Sequence, residues 1–123
     1  MARVLVVDDD DGTREWLAEV LEGAGHRVLT ARDGLEARAL AMNQTLEVVI
    51  TDISMPNEEG LGLLQALRRT CKELKVVVIS GHDADSLHDA ILLGAHAALR
   101  KPVQAKAILE CVKVLSHTLS AQA

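Results

Sequence analysis

The sequence predicts an α/β protein built on a doubly wound sheet of five parallel strands. Short apolar runs of strand length alternate with longer segments whose apolar residues have helical spacing. The runs at 47–51 and 75–80 are almost continuously apolar, which is typical of central parallel strands covered on both faces. A chain of 123 residues has room for one core, so we predict a single domain over 1–120 with right-handed crossovers.

The individual elements follow from these runs in chain order. Strands are predicted at 3–7, 27–31, 47–51, 75–80 and 96–100, and helices at 13–23, 34–43, 60–70, 84–93 and 104–118. The first helix is expected to end at Gly23 and Gly25, because glycine readily takes the left-handed conformation that ends helices. Its apolar face consists of Trp16, Leu17, Val20 and Leu21. The tail at 116–123 is expected to fray.

Composition and charge exclude several classes of function. The net charge is −5 and there is no basic run, which argues against nucleic-acid binding by this chain. No apolar stretch has membrane-spanning length, and the first residues do not have the build of a signal peptide. Cys71 and Cys111 lack metal-binding spacing, so we predict a reducing, cytoplasmic environment. The histidines also lack ligand spacing and are expected to face solvent (His26, His82, His88, His96 and His117).

Four consecutive aspartates, Asp8 to Asp11, directly follow the first apolar run. Carboxylates placed side by side repel one another and raise one another's pKa. An acidic cap on the next helix needs only one or two of them. The run therefore favours a bound cation, and hard oxygen ligands suit Mg²⁺, with Mn²⁺ as an alternative.

Other polar residues follow the remaining strands, where ligands bind in open parallel sheets. Asp52 follows the third predicted strand, Ser80 ends the fourth and Lys101 follows the fifth. Together with Asp8 and Asp9, these residues would meet at one edge of the sheet. A carboxylate there can accept a phosphoryl group as an acyl phosphate. A cation, a lysine and a hydroxyl would stabilise the charge of the incoming phosphoryl oxygens.

These motifs resemble the receiver domain of response regulators, the phosphorylatable module of two-component signalling. The matching segments are Asp8-Asp9 after Val4–Val7, Asp52-Ile53-Ser54-Met55-Pro56 with Gly60, Ser80-Gly81, and Lys101-Pro102. The resemblance covers essentially the whole chain. It implies a flavodoxin-like (β/α)5 fold with strand order 2-1-3-4-5 and a cis Lys101–Pro102 bond.

The resemblance also implies roles for individual residues. Asp52 would accept the phosphoryl group from a histidine kinase or a phosphotransfer protein, with Lys101 and Ser80 contacting the phosphate. Asp9, Asp52 and the backbone carbonyl of Ser54 would ligate Mg²⁺ directly, and Asp8 would do so through water. Ser54 and His82 lie two residues past Asp52 and Ser80, so we expect them to border the path of the hydrolytic water and to tune the lifetime of the phosphate. A surface role for His82 is an equally favoured alternative. Asp10 and Asp11 then fall in a loop, with Asp11 or Gly12 as the N-cap.

One family feature is missing. The switch aromatic usually found three residues before the lysine is Ala98 here, and Val103 follows Lys101-Pro102 where Phe is common. A methyl group cannot act as a rotating ring. We therefore expect Ser80 and the loop 81–85 to reposition the following helix, and so to change the face formed by helix 4, strand 5 and helix 5.

Other functions fit parts of the sequence. The segment Asp9-Asp10-Asp11-Gly12-Thr13 matches the first motif of haloacid-dehalogenase-like phosphatases, with Asp9 as nucleophile. That fold would need a longer chain and an acidic pair after a late strand. A receiver-like module with a vestigial site is the non-catalytic alternative. A flavodoxin-like nucleotide binder is disfavoured, because no glycine-rich phosphate loop follows the first strand.

The expected partners follow from the receiver interpretation. They are a cognate histidine kinase or phosphotransfer protein and a downstream effector protein or domain, with no nucleic acid and no membrane. The chain would be a signalling switch rather than an enzyme that acts on other substrates. The chain is expected to be either a stand-alone regulator, which the lack of a linker signal after the last helix favours, or the N-terminal piece of a longer protein. We expect a monomer or a weak, phosphorylation-dependent dimer, since the output face carries His88, His96, Lys106 and Lys113 without an evident apolar patch.

Overall fold

Strands and helices alternate along the chain as the sequence predicts. The computed structural model describes residues 1–53, 59–81 and 84–122, with side chains for 1–53, 61–81 and 87–116. The strands are β1 (Arg3–Val7), β2 (Arg27–Ala31), β3 (Val48–Asp52), β4 (Lys75–Ser80) and β5 (Ala97–Arg100). The helices are α1 (Asp11–Gly23), α2 (Gly34–Asn43), α3 (Glu59–Thr70), α4 (Ala84–Leu92) and α5 (Ala105–Gln122). The domain boundary at 120 and the fraying of the tail stay predictions.

All strand pairs are parallel, and the order in the sheet is β2-β1-β3-β4-β5. This confirms the predicted doubly wound fold and strand order. Every residue of β3 is buried, and β4 is buried from Val76 to Ser80, as their continuous apolar runs indicate. β2 and β5 are edge strands and are more exposed. Among the described residues, no helix has the length and apolar character needed to cross a membrane.

The core lies on both faces of the sheet and consists of aliphatic side chains. On one face, α1 and α5 pack against β1, β3 and β4 through residues such as Leu17, Leu21 and Ile108. On the other face, α2 and α3 cover Leu5, Val7 and Val49, while α3 and α4 cover the next part of the sheet. Complete burial of such a side chain contributes about 1.5–3 kcal/mol. This packing holds the strand ends in fixed relative positions.

The start of α1 differs from the sequence-based prediction. Asp10 is the N-cap, with extended backbone dihedrals, and its carboxylate accepts the Thr13 N–H at 2.8 Å. The prediction of Asp11 or Gly12 as the cap was therefore wrong. Asp10 is favoured because its carboxylate also accepts the Thr13 hydroxyl at 2.7 Å. At the other end of α1, Gly25 has φ +93°, the left-handed conformation expected there.

Two histidines, His26 and His96, are partly buried and hydrogen-bonded to the backbone, and do not face solvent. His26 Nδ1 accepts the backbone N–H of Ala2 at 2.9 Å, and His96 Nδ1 accepts that of Val76 at 3.1 Å. The solvent-facing prediction was wrong for these two, while His88 is exposed as expected. Burial lowers the pKa of both imidazoles. The N-terminal amine adds to this effect at His26, and the cationic side chains of Arg68 and Lys75 add to it at His96.

These contacts predict a loss of stability at mildly acidic pH. Because the folded-state pKa of each imidazole lies below the unfolded value of 6.5, the contribution is complete above that pH. It is lost as the pH falls through the interval below 6.5, when Nδ1 takes a proton and can no longer accept. We expect a decrease of about 1 kcal/mol for each hydrogen bond in the free energy of unfolding, measured by urea titration. The double variant His26→Gln/His96→Gln should flatten this dependence, and His88→Gln should leave it intact. An unchanged slope in the double variant would contradict the prediction.

Candidate functional site

The carboxyl ends of β1, β3, β4 and β5 form one rim of the sheet. Backbone hydrogen bonds continue past the strand ends, since the Ile53 N–H donates to the Ile79 carbonyl and the Lys101 N–H to the Ser80 carbonyl, both at 2.9 Å. These bonds fix the residues that follow β3 and β5. The parallel register therefore brings together the polar residues that the sequence places after separate strands.

Asp8, Asp9 and Asp52 converge at this rim. One carboxylate oxygen from each lies within 4.8 Å of the others. Asp8 is fully buried and Asp52 is 3 % exposed, whereas Asp9 faces solvent. The set is open on one side, so a bound cation could keep water ligands there. This is the chemistry of a magnesium site that uses a few carboxylates and retains several waters.

Lys101 is the cation of the cluster in the structure. Its Nζ donates to Asp52 Oδ2 at 2.7 Å and to Asp8 Oδ2 at 3.4 Å. Burial opposes the charged ammonium, but the hydrogen bond and charge of Asp52, together with the charge of Asp8, raise the pKa of Lys101. The ammonium is therefore a fixed positive charge next to the buried carboxylate of Asp52.

Asp8 is a buried carboxylate with a second carboxylate, that of Asp52, close to it. Burial raises the pKa of Asp8, and the charge of Asp52 adds to this effect. The Asp10 N–H, which donates to Asp8 Oδ1 at 2.9 Å, and the Lys101 ammonium act in the opposite direction. One lysine faces three carboxylates, so a divalent cation fits the charge balance of this donor set.

Sequence reasoning missed the residues of α1 that support the cluster. The Arg14 guanidinium donates to the backbone carbonyl of Asp8 at 2.9 Å and forms an ion pair with Asp11. The Asp10–Thr13 cap fixes the first turn of the helix, and the two hydrogen bonds from Thr13 lower the pKa of Asp10. The Asp10-x-x-Thr13 and Asp11-x-x-Arg14 spacings were the available signals. Two of the four aspartates thus have structural partners in α1.

Ser80 ends β4 and is 1 % exposed, beside the backbone of Lys101. A Cβ atom on Gly81 would lie 3.6 Å from the Lys101 side chain, so the chain passes close to the lysine stem. The Lys101–Pro102 peptide bond is cis, as the resemblance implies. Ala98 packs in the apolar cluster with Val78 and Ala90. Of the remaining predicted site residues, Ser54 and His82 lie outside the described residues.

A cavity of about 640 Å³ opens beside the rim, between α1 and the turn after β5. Apolar groups and Lys101 share its lining. The lining includes Thr13, Trp16, Leu17, Gly81, Lys101, Pro102 and Val103. The Trp16 side chain is 39 % exposed, an unusual position for the sole aromatic residue of the chain. A partner that docks at this opening would contact an apolar wall next to Lys101.

The chain is similar in sequence to known proteins over most of its length. The family model described as response regulator receiver domain matches residues 4–113. The response regulator MprA of Mycobacterium sp. strain KMS is 37 % identical over 119 residues, which covers 96 % of this chain and 52 % of that protein. A response regulator receiver protein of Anaeromyxobacter sp. strain Fw109-5 is 40 % identical over 111 residues, covering 89 % of this chain and 47 % of that protein. The chain thus spans about half the length of these relatives.

Solved structures show the same architecture. A receiver domain protein from Clostridium thermocellum superposes with a TM-score of 0.92 at 30 % identity, covering 100 % of both chains. A CheY-like receiver domain protein from Methanospirillum hungatei JF-1 gives a TM-score of 0.93 at 26 % identity, covering 100 % of this chain and 99 % of the other. From the sequence match and the fold together, the chain belongs to the response regulator receiver domains of two-component signalling.

Proposed function

We propose that this receiver domain is a phosphorylation-controlled switch in which Asp52 accepts a phosphoryl group in a Mg²⁺-dependent reaction. The observation that carries the proposal is the position of Lys101 Nζ, 2.7 Å from Oδ2 of Asp52, a buried residue of the acidic cluster. A nucleophilic carboxylate flanked by a fixed ammonium and by further carboxylates suits phosphoryl transfer. In that reaction catalysis consists mainly of positioning and charge stabilisation.

The phosphoryl group passes directly from a histidine of the donor protein to Asp52. An Asp52 carboxylate oxygen attacks the phosphorus of a phosphohistidine on the donor protein, and a P–O bond forms as the P–N bond breaks. The leaving imidazole takes a proton, and Asp52 becomes an acyl phosphate. When bound by Asp8, Asp9, Asp52 and the Ser54 carbonyl, Mg²⁺ or Mn²⁺ supplies positive charge to the phosphoryl oxygens. Lys101 and the Ser80 hydroxyl bind the remaining oxygens, so no separate general base is required.

Hydrolysis of the acyl phosphate returns the switch to its resting state. Water attacks phosphorus and inorganic phosphate is released. Asp52 is then a free carboxylate again. We assign the tuning of this lifetime to Ser54 and His82, which follow the acceptor and Ser80 at equal spacing. The chain then acts only on its own phosphoryl group and is not an enzyme for other substrates.

The output proposal uses the face formed by α4, β5 and α5. Ala98 leaves this face without a switch aromatic, so Ser80 and the loop 81–85 carry the change to α4. The last two residues of α4 and the residue after it are exposed and apolar: Ile91 (45 %), Leu92 (71 %) and Leu93 (36 %). The sequence-based prediction of an output face without an evident apolar patch did not anticipate these exposed side chains. They give a downstream partner an apolar contact surface.

The remaining assignments extend this proposal. The phosphoryl donor is a cognate histidine kinase or phosphotransfer protein. The phosphorylated domain then signals to an effector protein or domain. The greater length of the relatives is consistent with an attached effector. We place the reaction in the cytoplasm and expect a monomer or a weak, phosphorylation-dependent dimer.

The function is tested by intact-mass measurement after incubation with Mg²⁺ and acetyl phosphate. We expect a single phosphoryl adduct on the wild-type chain. It should be absent when a chelator removes the metal and absent in Asp52→Asn, which keeps the side-chain shape without the nucleophilic oxygen. An adduct that persists in Asp52→Asn would contradict the proposal and favour an Asp9-centred phosphatase. The absence of any adduct would favour a vestigial site.

Trp16 provides a second test, because it lies in the wall of the cavity beside Lys101. We expect Trp16→Ala to slow transfer from a phosphorylated donor protein by about tenfold or more, since an interfacial aromatic typically contributes over 1 kcal/mol. Labelling by acetyl phosphate should change less than about twofold, because a small donor does not need the protein contact. Leu35→Ala, an exposed apolar change on α2, is the control. Equal loss with both donors would contradict a docking role for Trp16.

A further inference from the structure

The amino ends of β1 and β2, opposite the acidic rim, hold a pair of arginines. Arg3 opens β1, Arg27 opens β2, and the two residues are in register in the parallel pair. Neighbouring strands are about 4.8 Å apart, so two registered side chains lie next to each other on one face of the sheet. Like charges in such positions are unfavourable. Their pairing is notable in a chain whose net charge is −5.

The face that carries these arginines is the one covered by α2 and α3. Side chains alternate along a strand, and Leu5 and Val7, which share the face of Arg3, pack in the cluster under those helices. Arg3 and Arg27 therefore lie below the end of α2 and the connection to β3. Both are exposed, so the guanidinium groups are accessible from outside.

A cleft of about 260 Å³ is present at this position. Arg3, Arg27, Gln44 and Thr45 supply its polar wall, and Leu29 and Leu46 supply an apolar one. Within the part of the chain that the structure describes, neither arginine forms an ion pair. The Glu47 carboxylate accepts the backbone N–H of Arg3 through Oε1 at 3.3 Å.

We propose that this cleft is a binding site for a small molecule that carries a phosphate group. Two guanidinium groups present forked donors that match phosphate oxygens in bidentate fashion. The Gln44 amide and the Thr45 hydroxyl add neutral donors. A site with a few convergent polar groups and an apolar wall is typical of small-ligand pockets, and the wall formed by Leu29 and Leu46 would contact the organic part of a phosphate ester.

The site lies at the opposite end of the strands from Asp52, and it does not depend on the proposed phosphorylation. A ligand bound there would contact the start of β1, whose other end leads directly to Asp8. It would also contact the loop between α2 and β3 through Gln44 and Thr45.

The test is a titration of the ¹⁵N-labelled full chain, with a chelator present so that no metal draws phosphate to the acidic rim. Inorganic phosphate and glycerol phosphate are compared with malonate at matched ionic strength. We expect saturable amide shifts confined to residues 3, 27–29 and 44–46, with the ester binding at least as tightly as inorganic phosphate. Diffuse, non-saturating shifts would overturn the proposal, and malonate binding as tight as that of phosphate would overturn the preference for phosphate.

Variants of Arg3 and Arg27 distinguish the contribution of positive charge from that of the bidentate geometry of the guanidinium group. Arg3→Gln and Arg27→Gln should each weaken binding about tenfold, the effect of losing a hydrogen bond to a charged group. Arg27→Lys keeps the charge and loses the bidentate fork, and it should also weaken binding. Arg38→Gln, an exposed arginine of α2, is the matched control and should bind like the wild type. Equal weakening in Arg38→Gln, or full binding in both Gln variants, would overturn the proposal.

Discussion

Replacement of Lys101 by methionine is expected to slow the phosphorylation of Asp52 by about 10²–10³-fold, the usual effect of removing one preorganised charge from a transition state. The ammonium contacts Asp52 at 2.7 Å and is held there by the backbone bond from Lys101 to Ser80. It therefore stands beside the carboxylate of the proposed acceptor before any phosphoryl group arrives. The rate is measured by incubating each protein with acetyl phosphate and recording the fraction of phosphoryl adduct by intact mass at successive times.

The same variant should lose stability in metal-free buffer. Asp8 and Asp52 are buried and would lose the cation that both contact. Because the Lys101 side chain is 27 % exposed, solvent replaces part of the interaction, and we expect a loss of about 1–3 kcal/mol in the free energy of unfolding. Lys106→Met, on the exposed side of α5, is the control for loss of one positive charge. A phosphorylation rate within a few-fold of wild type would contradict the role of Lys101.

Asp52→Asn is expected to have opposite effects on stability with and without metal. In metal-free buffer the variant should be more stable than the wild type by about 1 kcal/mol, since it removes one of two buried like charges. The amide oxygen can still accept from Lys101, and Asp8 keeps its own contact with that residue. The functional carboxylate therefore lowers the stability of the resting fold.

Addition of Mg²⁺ should reverse the order. A cation at one hundred times its dissociation constant stabilises the wild type by about 2.7 kcal/mol. The variant lacks one of the three carboxylates and should gain much less. Urea unfolding at increasing Mg²⁺ measures both effects, with Asp89→Asn on the exposed surface of α4 as the control. An equal gain from Mg²⁺ in Asp52→Asn and wild type would show that the cation does not use this carboxylate.

The sequence was sufficient for the parts of the molecule that depend on periodicity and on strand ends. Continuous apolar runs identified β3 and β4 as central strands, and both are buried in the sheet. Because parallel strands all end at one rim, the positions of Asp8, Asp52 and Lys101 directly after separate strands were enough to predict their contact. Their distances and burial depend on packing, which the pattern does not encode.

Features that depend on register or on a single side chain could not be predicted. Any of four adjacent aspartates can cap a helix, and only the geometry of the first turn selects Asp10. The inward position of His96 depends on how the start of β5 meets Val76, and no periodic pattern marks it. The pairing of Arg3 with Arg27 depends on the register of β1 and β2, which are separated along the chain by α1.

In the proposed function Asp52, and no other carboxylate of the cluster, carries the phosphoryl group. Borohydride reduces an acyl phosphate to an alcohol and leaves free carboxylates unchanged, so it marks the acceptor permanently. After phosphorylation with Mg²⁺ and acetyl phosphate, reduced protein would be digested and its peptides sequenced by mass spectrometry. We predict homoserine at position 52 and unmodified aspartates at 8 and 9. Homoserine at position 9 with Asp52 intact would contradict the account and support the phosphatase interpretation.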